Sequence, residues 1–388
     1  MTVSIAFVFT NPKHHLEMMA PVAAELRSRG IACDLLSLAE LRGLETPAGA
    51  RRVIPLNLRK RRGQPALASE HAVGWSRGSI AKRAVWSLVL APAMRVLLRH
   101  ARVVVVPNDA VYPYSELVAA MRARGVATVL MQEGIRFPLP DGYRGPQYGA
   151  AVDVVCAWGE GSRDYFVASG VAPRVIEVTG APRLDTLDPG AWRDGAAALL
   201  ARHKLATAPL AFLSNPIEIQ GYGDKRIKLD LFARVLAEAA PLLRARGIPV
   251  LVKNHAHEDP ADFRRVADAS PIADLVTLAP EASIFAAIAA SRAAIVLTST
   301  VGLESLVFDR PIGVLEIPGH GYAFEYVQQG AATPLRHDAL ARDIEQLLAP
   351  PAERRTAGEA FIRRHLHDRG RARYHVAAVL ERALARHT

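Results

Sequence analysis

Ala127-Thr128-Val129-Leu130-Met131-Gln132-Glu133-Gly134-Ile135-Arg136 passes from a continuous apolar run straight into a polar turn. Ala293-Ala294-Ile295-Val296-Leu297-Thr298-Ser299-Thr300-Val301-Gly302-Leu303-Glu304-Ser305 does the same in the second half of the chain. A short unbroken apolar run bounded by a turn reads as a parallel strand covered on both faces. The turn then sits at the strand's carboxyl end, where a doubly wound sheet presents functional side chains. Further apolar runs at 3–9, 31–36, 103–106, 152–157 and 175–178 alternate with helical patterns, and so do those at 210–213, 250–253, 275–278 and 312–315. The class expected is α/β, with two doubly wound Rossmann-like domains facing across a cleft. Asp188-Pro189-Gly190 interrupts the rhythm and marks the boundary, so the expected domains are 1–187 and 188–352. Residues 353–388 form a basic helical pattern, broken near Arg369-Gly370, that is expected to cross back to the first domain.

A chain of 388 residues exceeds what one core usually serves, and 50% hydrophobic residues supply two. The net charge of +10 is concentrated between Arg51 and Arg102, where twelve Lys or Arg stand against the single acid Glu70. This stretch includes Arg59-Lys60-Arg61-Arg62 and a Trp-bearing apolar run edged with bases, whose longest apolar piece, 84–98, is interrupted by Pro92 and Arg95 and too short for the roughly 20 residues of a membrane span. Such a basic amphipathic segment suits an anionic membrane surface or an anionic acceptor, and equally a solvated surface helix and loop. No recognition motif or aromatic interleaving accompanies the charge, so nucleic acid is not an expected partner. The N-terminus reads as a first buried strand and not as a signal peptide, so a cytoplasmic protein is expected, peripheral at the inner face of the membrane if the basic face is a membrane surface. Cys33 and Cys156 lack metal-ligand spacing and read as buried free thiols.

The two turns carry the chemistry. Hydroxyls and free amides where a helix begins favour an anion, which suits Ser299 and Thr300 to a phosphate. Glu133, on a turn supported by Gly134, is placed as a general base, with Asp109 at the end of the 103–107 run as the second choice. Lys253 and His255 end another strand and can neutralise a phosphate leaving group. Glu304, one turn after Thr300, can accept hydrogen bonds from ribose hydroxyls. Ser214-Asn215 and the Gly-flanked His320 occupy further strand-end loops, His14 follows the first strand, and Arg136 stands beside Glu133. The bland readings are a Glu133–Arg136 loop pair, a surface cluster of Lys253 and His255 with His257 and Glu258, and a helix-surface salt bridge at Glu304. No Asp-x-Asp triplet, His cluster or Walker loop appears, so neither a metal nor a cofactor is expected.

The order of elements resembles the GT-B superfamily, the two-Rossmann-domain glycosyltransferases and the related UDP-N-acetylglucosamine 2-epimerases. Phe9-Thr10-Asn11-Pro12-Lys13-His14 with Met19-Ala20-Pro21-Val22 is similar to the epimerases' first strand, loop and helix. Val178-Thr179-Gly180-Ala181-Pro182-Arg183-Leu184-Asp185 is similar to the interdomain segment shared by epimerases, teichoic-acid polymerases and capsule transferases. Gln132-Glu133-Gly134 resembles the acidic-acidic-Gly motif of bacterial sialyltransferases and Kdo transferases, with Gln in place of the first acid. Lys253-Asn254-His255-Ala256 resembles their Lys-x-His-Pro, with Ala for Pro, and Ser299-Thr300 takes the place of their paired hydroxyls. The resemblance implies an inverting, metal-independent glycosyltransferase. Its first domain would hold a glycan or glycolipid acceptor of a bacterial surface polysaccharide, with Glu133 as base. Its second would hold a nucleotide sugar, CMP-linked Kdo or sialic acid by the nearest motifs, through His255, Ser299 and Thr300. Two alternatives stay open: a UDP-N-acetylglucosamine 2-epimerase-like enzyme and a non-catalytic GT-B-shaped binding subunit.

Overall fold

The computed structural model describes residues 3–54, 80–136, 148–322 and 324–386. The basic run Arg59-Lys60-Arg61-Arg62 lies outside the described residues. Two compact units emerge, one built from the described parts of 1–136, 144–187 and 364–388, the other principally from Asp188–Arg363.

The first unit runs β1 (Ile5–Phe9), α1 (His14–Ser28), β2 (Cys33–Ser37), β3 (Arg51–Arg52), α2 (Ile80–Val85), a π-helical turn (Trp86–Leu90), α3 (Ala91–Leu97), β4 (Val103–Val106), α4 (Tyr114–Arg122), β5 (Ala127–Met131), β6 (Val154–Ala157), α5 (Glu160–Ala168) and β7 (Ile176–Val178). All its strand pairs are parallel, in the order β3-β2-β1-β4-β5-β6-β7. Alternation within β1 explains the continuous apolar run. Ile5, Phe7 and Phe9 join α1 in one core layer, while Ala6 and Val8 join α3 and α4 in the other. Cys33 and Cys156 are buried and free, and burial pushes the Cys156 thiol up to about 12.

The second unit runs α6 (Arg193–Arg202), β8 (Leu210–Leu213), α7 (Lys225–Glu238), α8 (Ala240–Ala245), β9 (Val250–Lys253), α9 (Pro260–Asp268), β10 (Val276–Leu278), α10 (Ile284–Ala290), β11 (Ala293–Val296), α11 (Val301–Val307), β12 (Ile312–Leu315), β13 (Thr333–Leu335), α12 (Leu340–Leu348) and most of α13 (Ala352–His365). Its sheet is again wholly parallel, in the order β10-β9-β8-β11-β12-β13. In each sheet the strand order reverses once, between β1 and β4 and between β8 and β11. The carboxyl ends of strands at such a reversal are where folds of this class bind ligands.

α14 (Ala372–Ala385) returns to the first unit and packs Val376, Ala377, Leu380 and Ala383 into the α1 layer. The 178–185 segment makes that return stereospecific. Asp185 accepts from Ala372 N at 2.9 Å and Arg373 N at 2.7 Å, capping α14, and Arg183 donates to Glu17 of α1 at 3.1 Å. Gly180 has φ +87°, and a Cβ there would stand 2.5 Å from the His367 carbonyl oxygen. Only glycine meets both demands.

Candidate functional site

In the first unit, the strand ends on both sides of the order reversal converge on Glu133. Asn11 Oδ1 accepts from Lys13 N at 3.1 Å and His14 N at 3.0 Å, which starts α1 with two successive histidines. His14 Nε2 donates to the Glu133 carbonyl oxygen at 2.7 Å, and His15 Nε2 meets Glu133 Oε2 at 3.0 Å. Burial, with Arg183 and His15 adding to it, holds the His14 imidazole below its ordinary value. From the end of β4, Asn108 Nδ2 approaches Glu133 Oε1 at 3.5 Å, its Oδ1 being taken by Ala110 N and Val111 N. Arg136 Nη2 lies 3.9 Å from the same Oε1, and its guanidinium stacks 3.9 Å over the Tyr148 ring. The Glu133 side chain, 13% exposed, thus has His15 on one oxygen and Asn108 and Arg136 near the other, and keeps a small accessible area.

Gln132, where the resemblance expects a first acid, is a scaffold residue. Its Nε2 donates to Gly134 O at 2.7 Å and Ser162 Oγ at 2.8 Å, while Oε1 accepts from Trp158 N at 2.8 Å. A carboxylate could not make the two donations. Asp109 is similarly occupied: it is buried, and its oxygens accept from Gly149 N at 2.8 Å and Ala151 N at 2.9 Å. Sequence reading ranked it as the second base; the structure uses it to fix the 149–151 segment.

In the second unit, the ends of β8 and β11 are bridged by Asn215, whose Nδ2 donates to Thr298 Oγ1 at 2.7 Å and Thr298 O at 3.1 Å. Ser299 and Thr300 follow, both partly exposed. The free helix-start amides expected here are not free. α11 has seven residues, and Val301 N donates to Ser299 Oγ at 3.2 Å, Gly302 N to Ser299 O at 3.2 Å, Leu303 N to Tyr326 Oη at 3.0 Å and Glu304 N to Thr300 O at 3.2 Å. Tyr326 is the reason. Its ring packs against Gly302, where a Cβ would fall 2.8 Å from the ring carbon bearing the hydroxyl, and its hydroxyl donates on to Ser299 O at 2.9 Å. The anion-binding capacity of this turn rests on its hydroxyls. Glu304 is 2% exposed, at the base of the same turn.

The β9 end is organised by Glu258. Its Oε1 accepts from Ser214 Oγ at 2.9 Å and its Oε2 from His255 N at 2.7 Å, and the buried Lys228 of α7 pairs with it directly. Lys228 also reaches Glu218 at 3.1 Å and Asn215 O at 3.3 Å. Lys253 Nζ donates to Asn254 O at 2.8 Å and Pro280 O at 2.9 Å, so part of its donor capacity holds backbone. His255 is exposed, with Nδ1 accepting from His257 N at 3.2 Å. His320, exposed after β12, meets Tyr222 edge-on at 5.7 Å between ring centres. Lys228, Glu218 and Tyr326 are not among the residues to which the sequence points, and Glu258 is so only as a surface partner. One signal was available: Lys228 stands on the apolar stripe of Leu231, Phe232 and Val235, at spacing three, four and seven.

No protein-family model matches the chain, and no curated protein matches it in sequence. Solved structures do match in fold. The S. aureus MnaA structure with UDP superposes with TM-score 0.66 at 13% identity, covering 99% of this chain and 97% of that one. UDP-GlcNAc 2-epimerase from Neisseria meningitidis, bound to UDP-GlcNAc, gives 0.64 at 13%, covering 98% and 100%. The wall teichoic acid polymerase TagF gives 0.58 at 12%, covering 100% and 90%. The fold is thus α/β of the GT-B type, with two parallel sheets.

Proposed function

We propose that this protein is an inverting, metal-independent glycosyltransferase that uses a nucleotide sugar. The first unit binds a glycan or glycolipid acceptor and the second binds the donor. The observation that carries this reading is the Glu133 carboxylate, placed just after the carboxyl end of β5 among His15, Asn108 and Arg136 while still 13% exposed. Glu133 takes the proton of the acceptor hydroxyl as its oxygen attacks the anomeric carbon. The bond from that carbon to the phosphate oxygen breaks, and its electron pair leaves with the nucleotide. Ser299 and Thr300 donate to that phosphate, His255 adds positive charge on protonation, and Glu304 accepts from the ribose. A CMP-linked acid sugar of the Kdo or sialic acid type is the donor favoured by the motifs around Glu133 and His255.

Isothermal titration of CMP, CDP, UDP and GDP tests the donor site. One of them should bind, and Ser299→Ala with Thr300→Val should weaken it at least tenfold, the size of one or two lost charge-assisted hydrogen bonds. Absence of binding by all four would end this reading. The fold likeness to 2-epimerases favours the second reading, an epimerase-like enzyme. Incubation with UDP-N-acetylglucosamine alone separates the two, since an epimer or free sugar formed without acceptor supports the second.

The acceptor side includes a membrane face in this proposal. Among the described residues no helix is long and apolar enough to cross a membrane. Along 80–97, however, Leu88 is 77% and Val96 60% exposed. With exposed Ala84 and Pro92 they form a stripe at spacing four, flanked by Arg83, Arg95 and Arg99, and 80–100 contains no acid. Sedimentation with phosphatidylglycerol vesicles should show binding at low salt that 0.5 M salt releases, each base near the surface contributing about 1 kcal/mol. Leu88→Glu with Val96→Glu should abolish it; equal sedimentation of both proteins would reduce the stripe to solvated surface.

A further inference from the structure

His15 is fully buried, and its two ring nitrogens face different partners. Nδ1 accepts the Asn11 main-chain N–H at 3.2 Å and lies 3.4 Å from the Tyr114 hydroxyl, which donates to Thr10 Oγ1 at 3.0 Å. A nitrogen that accepts a main-chain N–H carries no proton, so the neutral ring's proton is on Nε2, the atom 3.0 Å from Glu133 Oε2. We propose that His15 is a positioning residue locked in the Nε2–H tautomer, a one-way donor that holds the Glu133 carboxylate in place. The inference rests on Glu133 being the base. It adds that no relay operates here. Nε2, the nitrogen that faces Glu133, already carries its proton and has no lone pair for another, and the ring's basic nitrogen, Nδ1, points away and is taken by the Asn11 N–H. Glu133 therefore keeps the acceptor's proton until solvent removes it.

The neighbours leave His15 this part. From α1, His14 spends its Nε2 on the Glu133 carbonyl oxygen. From the end of β4, Asn108 supplies a neutral amide, and the Asp109 carboxylate is turned to Gly149 and Ala151. Arg136 stands 3.9 Å off on the same turn. Arg183, after β7, acts on His14 and donates to Glu17, and Tyr114 of α4 backs His15 itself. His15 is thus the closest ring donor to the carboxylate oxygens.

The test needs no substrate. Long-range nitrogen NMR of the full chain with labelled histidine should show His15 with an unprotonated Nδ1 and a protonated Nε2 from pH 5.5 to 8. A protonated Nδ1 in that range would overturn the lock. Glutamate labelled at Cδ, with Glu133→Gln identifying the signal, then reports the hydrogen bonding of the carboxylate at a fixed pH of 8. An Asn side chain ends near the position of Nδ1 and a Gln side chain near that of Nε2. His15→Asn should displace that carboxylate signal, because the Nε2–H donor is lost, and His15→Gln should return it. An unmoved signal in His15→Asn, in protein whose melting curve shows it folded, would remove the positioning role. That failure is distinct from failure of the base, which appears as full activity of Glu133→Gln.

Discussion

Glu133→Gln is expected to lower turnover by about 10²- to 10⁴-fold, the range a positioned general base supplies, with the nucleotide sugar that the titration screen selects. Gln keeps the length and shape of the side chain. Its amide oxygen can still receive the His15 Nε2–H that now meets Oε2 at 3.0 Å, so the turn should survive. What disappears is the capacity to accept a proton. Nucleotide affinity, which belongs to the second unit in this proposal, should change by less than about twofold, because the loss falls on chemistry and not on donor binding. Turnover within threefold of wild type, in protein that melts like wild type, would move the base elsewhere and return the non-catalytic reading to first place.

Lys228→Met should be the most destabilising single change in the second unit, by about 3–5 kcal/mol, because it removes one member of a buried ion cluster and strands the others. Lys228 is 1% exposed and the Glu258 side chain 4%, so neither has water to replace the lost partner. Glu218, at 30%, can rehydrate and limits the cost to the Glu258 side. At roughly 2–4 °C per kcal/mol for a unit of this size, the melting midpoint should fall by about 10 °C. The effect should also reach the donor site, since Glu258 holds Ser214 Oγ and His255 N. Urea unfolding with nucleotide titration checks both parts. A loss below 1 kcal/mol would show that water enters the cluster and that the pair is not buried in solution.

Much of the frame was legible in the residues, because it depends on patterns that a chain carries locally. Val103-Val104-Val105-Val106 and Ala127–Met131 read as doubly covered parallel strands, since β-branched and apolar runs of that length have few other uses in an alternating α/β chain. Strand-end position alone then placed Glu133, Ser299 and Thr300 on loops at the carboxyl edges of the two sheets.

The roles within those loops depended on partners far away in sequence. Asp109 and Glu133 are both acids at strand ends and look alike in sequence; Gly149 and Ala151 occupy the first, which is 1% exposed, while the second meets His15 and keeps 13% of its side chain exposed. The amides after Thr300 looked available because Tyr326, which takes one of them and packs on Gly302, comes from a loop with no helical or strand period to announce it. Gln132 likewise reads as a lost acid until Trp158 and Ser162 show that an amide is needed there. Periodicity and strand ends are properties of neighbouring residues, so the sequence by itself determined the α/β class and the edges where chemistry can sit. Hydrogen bonds that consume or orient a side chain are made by whichever residues the fold brings within about 3 Å, so only the tertiary structure decided which acid holds backbone amides and which one His15 meets.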